Sequence, residues 1–508
     1  MTTSTKFGKV IRRITVALVL LLLVLVFALW IKPPEILRVG ANYSAKIVCS
    51  NVFLAGRDPD EVLRSDVQAP GVALLHFMRV SVDRERRVVR AGLFGFIGDG
   101  LAVARTSTGC AVVPDGNLDF ALHVGSVPTH PADAHAGTAV AAPVPPATAP
   151  ISTPAVTGAR AKAGTSTDTV TGADAEIAAN ADPGTKWPDG SAVATSAALD
   201  RLLADDTLAG PGMRAIVVVH HGRIVAERYA AGFSATTPLL GWSMTKSVVA
   251  GLVGILIKDG RLALDQSAGW PMPGGGRERI RIADLLGMSS GLRFNEAYGA
   301  VSDVTRMLYL QPDMAGFARA QPLLHPAGEF WSYSSGSANI LSRIVQDAAG
   351  ALGAAYPTER LFKPLGMTSA VIEADEDGTL VGSSYMYATA RDWARYGLFL
   401  QQDGVWQGQE MLPRGYVAMM ASPVAASGGE YGHGLVWLWG SDAVTPGKNP
   451  DAAFEIPADI FWMEGHDGQS TAVIPSLQLV VVRLGLTPSS DHYHPQPLVK
   501  AILDAAGS

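Results

Sequence analysis

Eighteen consecutive uncharged residues, Ile14 to Ile31 (ITVALVLLLLVLVFALWI), set the first constraint on how this chain can fold, and Lys6, Lys9, Arg12 and Arg13 precede them. The run reaches the lower end of the ~17–25 apolar residues that a helix needs to cross a bilayer. It exceeds the about 7–15 residues of a signal-peptide core. The one small-x-small site nearby, Val39-Gly40-Ala41, lies well beyond it. The segment therefore reads as an uncleaved anchor in preference to a cleaved signal. Residues 1–13 form the cytoplasmic tail, and the positive-inside rule exports everything after Ile31 across a bacterial inner membrane.

An exported chain meets an oxidising compartment, where disulfides persist. Cys49 and Cys110 are the only cysteines, and both follow the anchor. One Cys49–Cys110 bridge is the expectation, two buried thiols the alternative. No Cys/His spacing calls for zinc, and no cofactor is expected. The net charge of -6 comes without a long charged block, which argues against a nucleic-acid partner.

From about residue 126 to 186 the sequence turns to Ala, Thr, Pro and Gly without aromatics. Such a tract cannot bury enough apolar surface to offset its ordering entropy and reads as a disordered linker. It separates a small β-rich segment, residues 32–125, with strand-like runs such as GVALLHFMRVSV and CAVVP, from a larger domain over residues 187–508. The small segment either forms its own module or packs on the larger one.

In the larger domain, AIVVVHHGRIVAERY reads as a hairpin turning at His221-Gly222. A helix follows from near Ser243 to Ile257, stopped by Asp259-Gly260. The stretch between about Leu262 and Trp462 is mainly helical with many breaks. TAVIPSLQLVVVRLG reads as a second hairpin around Pro475-Ser476, and PLVKAILDAAG as a closing helix. Strands at both ends with helices between predict an α/β fold of the α+β type, in which both ends of the domain build one antiparallel sheet flanked by helices, with a helical insertion.

Two serines compete for chemistry. Ser243 and Lys246, in GWSMTKS, stand three apart at a helix start, so they share a face, and the positive end of the helix favours an alkoxide. That is the arrangement an activated serine needs. Read plainly, Ser243 is a helix cap and Lys246 is solvated, yet Lys246 adjoins the apolar run SVVAGLVGILI. The rival is Gly287-Met288-Ser289-Ser290-Gly291, which fits a Gly-x-Ser-x-Gly elbow. That elbow needs a strand before it and a helix after it; IADLLGM reads as helix and LRFNEAYG as loop, so a tight turn is expected.

Downstream, PAGEFWSYSSGSANIL places Tyr333 just before a helix, and MEGHDGQSTAVI places His466-Asp467-Gly468 just before a strand. Each alone is most simply structural. Taken in order with Ser243-x-x-Lys246, they resemble the serine β-lactamase and penicillin-binding protein superfamily. LLGMSSGLRFNE, SDVTRMLY and YATARDWARYGLFLQQDGVWQG further resemble its class C-like branch, with 6-aminohexanoate-dimer hydrolases and related esterases. The resemblance runs from about Trp187 to the C-terminus. It implies that Ser243 is the acylated nucleophile, that Lys246 accepts or relays its proton, and that Tyr333 serves the leaving group. It implies further that His466 stands where relatives carry the Lys or His of a Lys/His-x-Gly motif, with Gly468 and Ser335 at the substrate and the amides of Ser243 and Gln469 as the oxyanion hole. Which group is the acylation base is left open between Lys246 and Tyr333.

Two departures shape the expected substrate. Ser335 stands where class C β-lactamases have the Asn of Tyr-x-Asn, and His466 replaces a permanent cation. Linear amides or esters are therefore expected over β-lactams, with a small-molecule substrate and the membrane as the partners. The alternatives are a D-amino-acid peptidase or weak β-lactamase acting on cell-wall substrates, and a catalytically silent binding module. Oligomeric state is not legible.

Overall fold

The computed structural model describes residues 3–69, 72–124, 186–194, 196–270, 275–439 and 450–506. The Ala/Pro/Thr-rich tract at 126–186 lies outside these residues, save its last position. The chain opens with helix α1 (Thr3–Ile31), whose stretch Ile11–Ile31 is long and apolar enough to cross a membrane and is largely exposed, with Leu29 near its end packed against the core.

The segment after the anchor begins with a helix that the sequence pattern did not reveal, α2 (Glu35–Phe53). It lies on a four-stranded antiparallel sheet in the order β1 (Met78–Asp83), β2 (Val88–Leu93), β3 (Ile97–Arg105) and β4 (Gly109–Val112). Contact is close: a Cβ on Gly100 would stand 2.3 Å from the carbonyl oxygen of Ala41. Cys49 on α2 is bonded to Cys110 on β4, with Cα atoms 6.1 Å apart, inside the range that a bridge spans.

This segment packs on the larger domain and shares its core, with Val48, Val217 and Leu252 in one buried cluster. Several polar side chains of α2 face that domain and are paired there, as buried polar groups must be. Asn42 Nδ2 donates to the Tyr309 carbonyl at 2.8 Å. Lys46 and Ser50 bind Glu373, which also accepts from the Cys110 amide at 2.6 Å. Asp66 accepts from Arg57 Nη1 at 2.6 Å and from Arg214 Nη2 at 2.7 Å. Burial opposes the charge on Asp66, but Arg214 and Arg57 together hold its carboxyl below its ordinary value.

The larger domain is built on β5 (Met213–His220) and β6 (Arg223–Tyr229), joined at His221-Gly222 with φ of 49° and 73°. Two successive positive φ values make the tight turn that matches strand twist. Three more strands, β7 (Phe461–Gly465), β8 (Gln469–Ile474) and β9 (Leu479–Gly485), complete a five-stranded antiparallel sheet in the order β7-β8-β9-β5-β6. The first and last strands of the domain thus meet, with Val217 opposite Val482. This is the sheet that the sequence pattern predicted.

Alternation along the strands divides the core into two layers. Ile216, Val218 and Val481 face Leu498 and Ile502 on the closing helix (Gln496–Ala506). Val217, Val480 and Val482 face the other way, toward Leu252 on α3 (Met244–Lys258) and Trp393 on α4 (Ala390–Gln401). The helical insertion fills the space between α3 and β7. The antiparallel sheet flanked by helices is the α/β architecture expected from the sequence.

Candidate active site

The chain enters α3 through a forced turn. Gly241 donates to the Met386 carbonyl at 2.9 Å, and a Cβ there would lie 2.2 Å from Trp393 Cζ2, so only glycine fits. The next residue, Trp242, has a φ of 48°, a left-handed conformation that bulky side chains avoid. Thr245 Oγ1 holds it by donating to its carbonyl at 2.7 Å. Such backbone costs about 1–3 kcal/mol and persists only where packing imposes it.

Ser243 follows at the N-cap position of α3, but its hydroxyl caps no backbone amide. Lys246, one turn on, donates from Nζ to Ser243 Oγ at 2.8 Å, to Ser335 Oγ at 3.1 Å and to the Ser383 carbonyl at 2.9 Å. Three partners match the three protons of an ammonium; as a neutral amine, the same nitrogen has a lone pair to receive the proton of Ser243. Every residue of α3 from Met244 to Leu256 is buried, Lys246 at 1% exposure included. Burial accordingly pulls the Lys246 ammonium down to about 8, with Glu296 opposing.

Tyr333 precedes the helix Ser335–Ala349, whose N-cap Ser334 accepts from the Ser337 amide at 3.1 Å. Lys246 Nζ lies 4.9 Å from the centre of the Tyr333 ring, and the Tyr333 hydroxyl interacts with that of Ser243. Burial, followed by Glu296, pushes this phenol well above its usual value, so it remains protonated. Ser335 is wholly buried; its hydroxyl and amide bond Glu296, the amide at 2.8 Å, and its oxygen also accepts from Lys246.

His466 begins the three-residue connection from β7 to β8. Asp467 and Gly468 take φ values of 58° and 77°, which turn the chain sharply. The side chain of Gln469 pins this turn, donating to the His466 carbonyl at 3.1 Å and the Gly485 carbonyl at 2.6 Å while its oxygen accepts from the Gly485 amide at 2.9 Å. His466 stacks on Tyr298 at 4.7 Å between ring centres and meets the Trp242 ring edge-on at 5.5 Å. A Cβ on Gly465 would lie 2.2 Å from the Gly241 carbonyl oxygen, so the turn bearing Ser243 abuts the end of β7. Ser243, Lys246, Tyr333, Ser335, His466 and Gln469 thereby come to one place.

Ser289 does not join them. A helix, Ile282–Leu286, precedes it, no strand does, and its hydroxyl is buried in a turn that leans on the Asp284 carbonyl. Two residues that motif reading passed over do belong to the site: Glu296, whose carboxyl burial pushes up against the pull of Lys246, and Tyr298. Among the described residues no group of three His, Cys, Asp or Glu side chains is placed to hold a metal ion.

A family model described as Beta-lactamase matches residues 203–496. A curated relative, the 6-aminohexanoate-dimer hydrolase of Paenarthrobacter ureafaciens, is 25% identical over 314 residues, covering 57% of this chain and 76% of the relative. A solved structure described as a 6-aminohexanoate-dimer hydrolase from Bacillus anthracis superposes with a TM-score of 0.51 at 21% identity, over 65% of this chain and 89% of that one. A second, described as a beta-lactamase from Bacteroides dorei, does so with a TM-score of 0.50 at 18% identity, over 61% and 99%. The structural likenesses show the fold, and the family match spans more than half of the 508 residues. The chain therefore belongs to the Beta-lactamase family.

Proposed function

We propose that the protein is a membrane-anchored serine hydrolase that cleaves an amide or ester bond in the periplasm through an acyl-enzyme on Ser243. The observation that carries this is the 2.8 Å contact between a buried Lys246 Nζ and the uncapped hydroxyl of Ser243. An amine drawn down to about 8 is neutral often enough near neutral pH to take a hydroxyl proton. Tyr333, kept as a phenol, is the weaker base of the two and is suited to hand a proton on.

In the first step, Ser243 Oγ attacks the carbonyl carbon while its proton passes to Lys246. The oxyanion faces the amides of Ser243 and Gln469 and the positive end of α3. Collapse expels the amine or alcohol, which takes a proton through Tyr333. Water then attacks the acyl-enzyme by the same route reversed, restoring Ser243 and releasing the acid. His466, held between Tyr298 and Trp242, lacks the fixed charge of a lysine, which favours linear amides and esters over β-lactams. The relative from Paenarthrobacter ureafaciens, named for a linear amide, supports that preference.

The apolar helix supports the anchor, and the Cys49–Cys110 bond supports an oxidising, exported location. Turnover by full-length protein in detergent tests the reading, with p-nitrophenyl esters, 6-aminohexanoate dimer, D-Ala peptides and nitrocefin as substrates. Ester or linear amide turnover that Ser243→Ala abolishes is expected. Turnover of nitrocefin or D-Ala peptides alone contradicts the substrate class, and no turnover of any substrate contradicts the enzyme assignment.

A further inference from the structure

Beyond the Ser243–Lys246 pair, the cleft on the Tyr333 side is walled by aromatic rings. The strand-like stretch at Trp437 is bonded to the edge of β7 in both directions, Trp437 N to the Trp462 carbonyl and Trp462 N to the Trp437 carbonyl, each at 2.9 Å. Alternation then puts Trp437 and Trp439 on one face. Their rings stack at 4.8 Å, and Trp437 stacks on Tyr333 at 5.4 Å with 20° between planes. Tyr431 stands edge-on to both Trp437 and Tyr333, at 5.0 and 5.9 Å. Trp437, Trp439 and Tyr333 are only half-buried, so part of each ring reaches the surface.

One carboxylate ends this wall. Glu464 on β7 accepts from Trp439 Nε1 at 3.2 Å, and its charge is felt at the Tyr333 hydroxyl. Among the described residues no lysine or arginine pairs with it, and the one charge that bears appreciably on it is a second acid, Asp451, which pushes it up further. Removing an unpaired carboxylate from water is unfavourable, and burial pushes this one up to about 7. Aromatic faces beside an uncompensated carboxylate make the environment that recognises organic cations.

We infer that the Trp437–Trp439–Tyr431 wall and Glu464 form a subsite for an ammonium group of the substrate, so that the preferred amide or ester carries a positive charge near its scissile bond. This rests on the acyl-enzyme reading above. The cation lies against the ring faces, balances Glu464, and is placed within reach of Ser243 by the stacking of Trp437 on Tyr333.

The test compares kcat/KM for two pairs of esters. One pair is a choline ester and its neutral isostere with carbon in place of the quaternary nitrogen. The other is the p-nitrophenyl ester of a trimethylammonio-alkanoic acid and its matching isostere. At least one cationic ester is expected to exceed its partner roughly tenfold or more, mainly through KM. In Glu464→Gln that ratio falls toward unity, while fluorophosphonate labelling confirms that the variant retains a folded active site. Wild-type ratios at or below unity in both pairs overturn the subsite, as does a ratio that survives in labelled Glu464→Gln. Absence of turnover of all four esters, together with absence of labelling, overturns instead the acyl-enzyme reading.

Discussion

Lys246 Nζ stands 2.8 Å from Ser243 Oγ inside a helix whose other side chains are almost all buried hydrocarbon, and the same burial that hides the lysine is what tunes it. With its ammonium drawn down to about 8, the fraction able to accept a proton grows with pH through that value. The acylation rate is therefore expected to rise from acid pH and level off above about 8, a limb measurable as kcat/KM against a p-nitrophenyl ester. Lys246→Arg, which cannot deprotonate in this range, is expected to abolish turnover at every pH.

Glu296 is the counterweight to that tuning, since its charge raises Lys246 while burial lowers it. Removing the charge in Glu296→Gln should let the amine fall further, moving the rising limb to lower pH. A limb that stays in place or moves up would show that Glu296 is not ionised in the free enzyme.

The N-terminal segment is held to the catalytic domain by ions that the core encloses. Lys46 and Glu373 are 2% and 0% exposed, so removing one partner strands the other. Lys46→Met should cost about 3–5 kcal/mol in denaturant unfolding. Lys46→Met with Glu373→Leu should recover part of that loss, because no charge is then left unpaired.

The strained turn at Trp242 depends on its neighbour having no side chain. Gly241→Ala drives a methyl into the fully buried Trp393 ring, 2.2 Å away. The overpacking should cost about 1–3 kcal/mol, read as a lower Tm, and displace Ser243, read as a lower kcat with KM less affected.

How far these features are legible in sequence differs by residue. Ser243, Lys246, Tyr333 and His466 could be singled out because each lies at an element boundary where the chain must present a side chain, and because their order is that of a resembled family. The domain sheet was legible because its strands are hydrophobic and its first turn is His-Gly. Glu296 and Tyr298 were not, since they sit in the irregular loop after Gly291, where no periodicity marks a carboxyl as turned inward; the one trace was NEAY within a family-like stretch. Helix α2 was missed for a related reason. Asn42, Ser44, Lys46, Ser50 and Asn51 are all buried, so the helix shows no polar stripe and no clean apolar one. A polar residue whose partner lies some hundreds of positions away leaves no local signal.

The central claim is that one serine becomes acylated, and the most direct measurement is the mass of the labelled peptide. Full-length protein treated with a fluorophosphonate and digested should carry one adduct, on the peptide containing Ser243. Ser289→Ala should label as wild type does, whereas Ser243→Ala and Lys246→Ala should remain unlabelled with their unfolding transitions intact. An adduct on Ser289, or equal labelling of Ser243→Ala, would contradict the account.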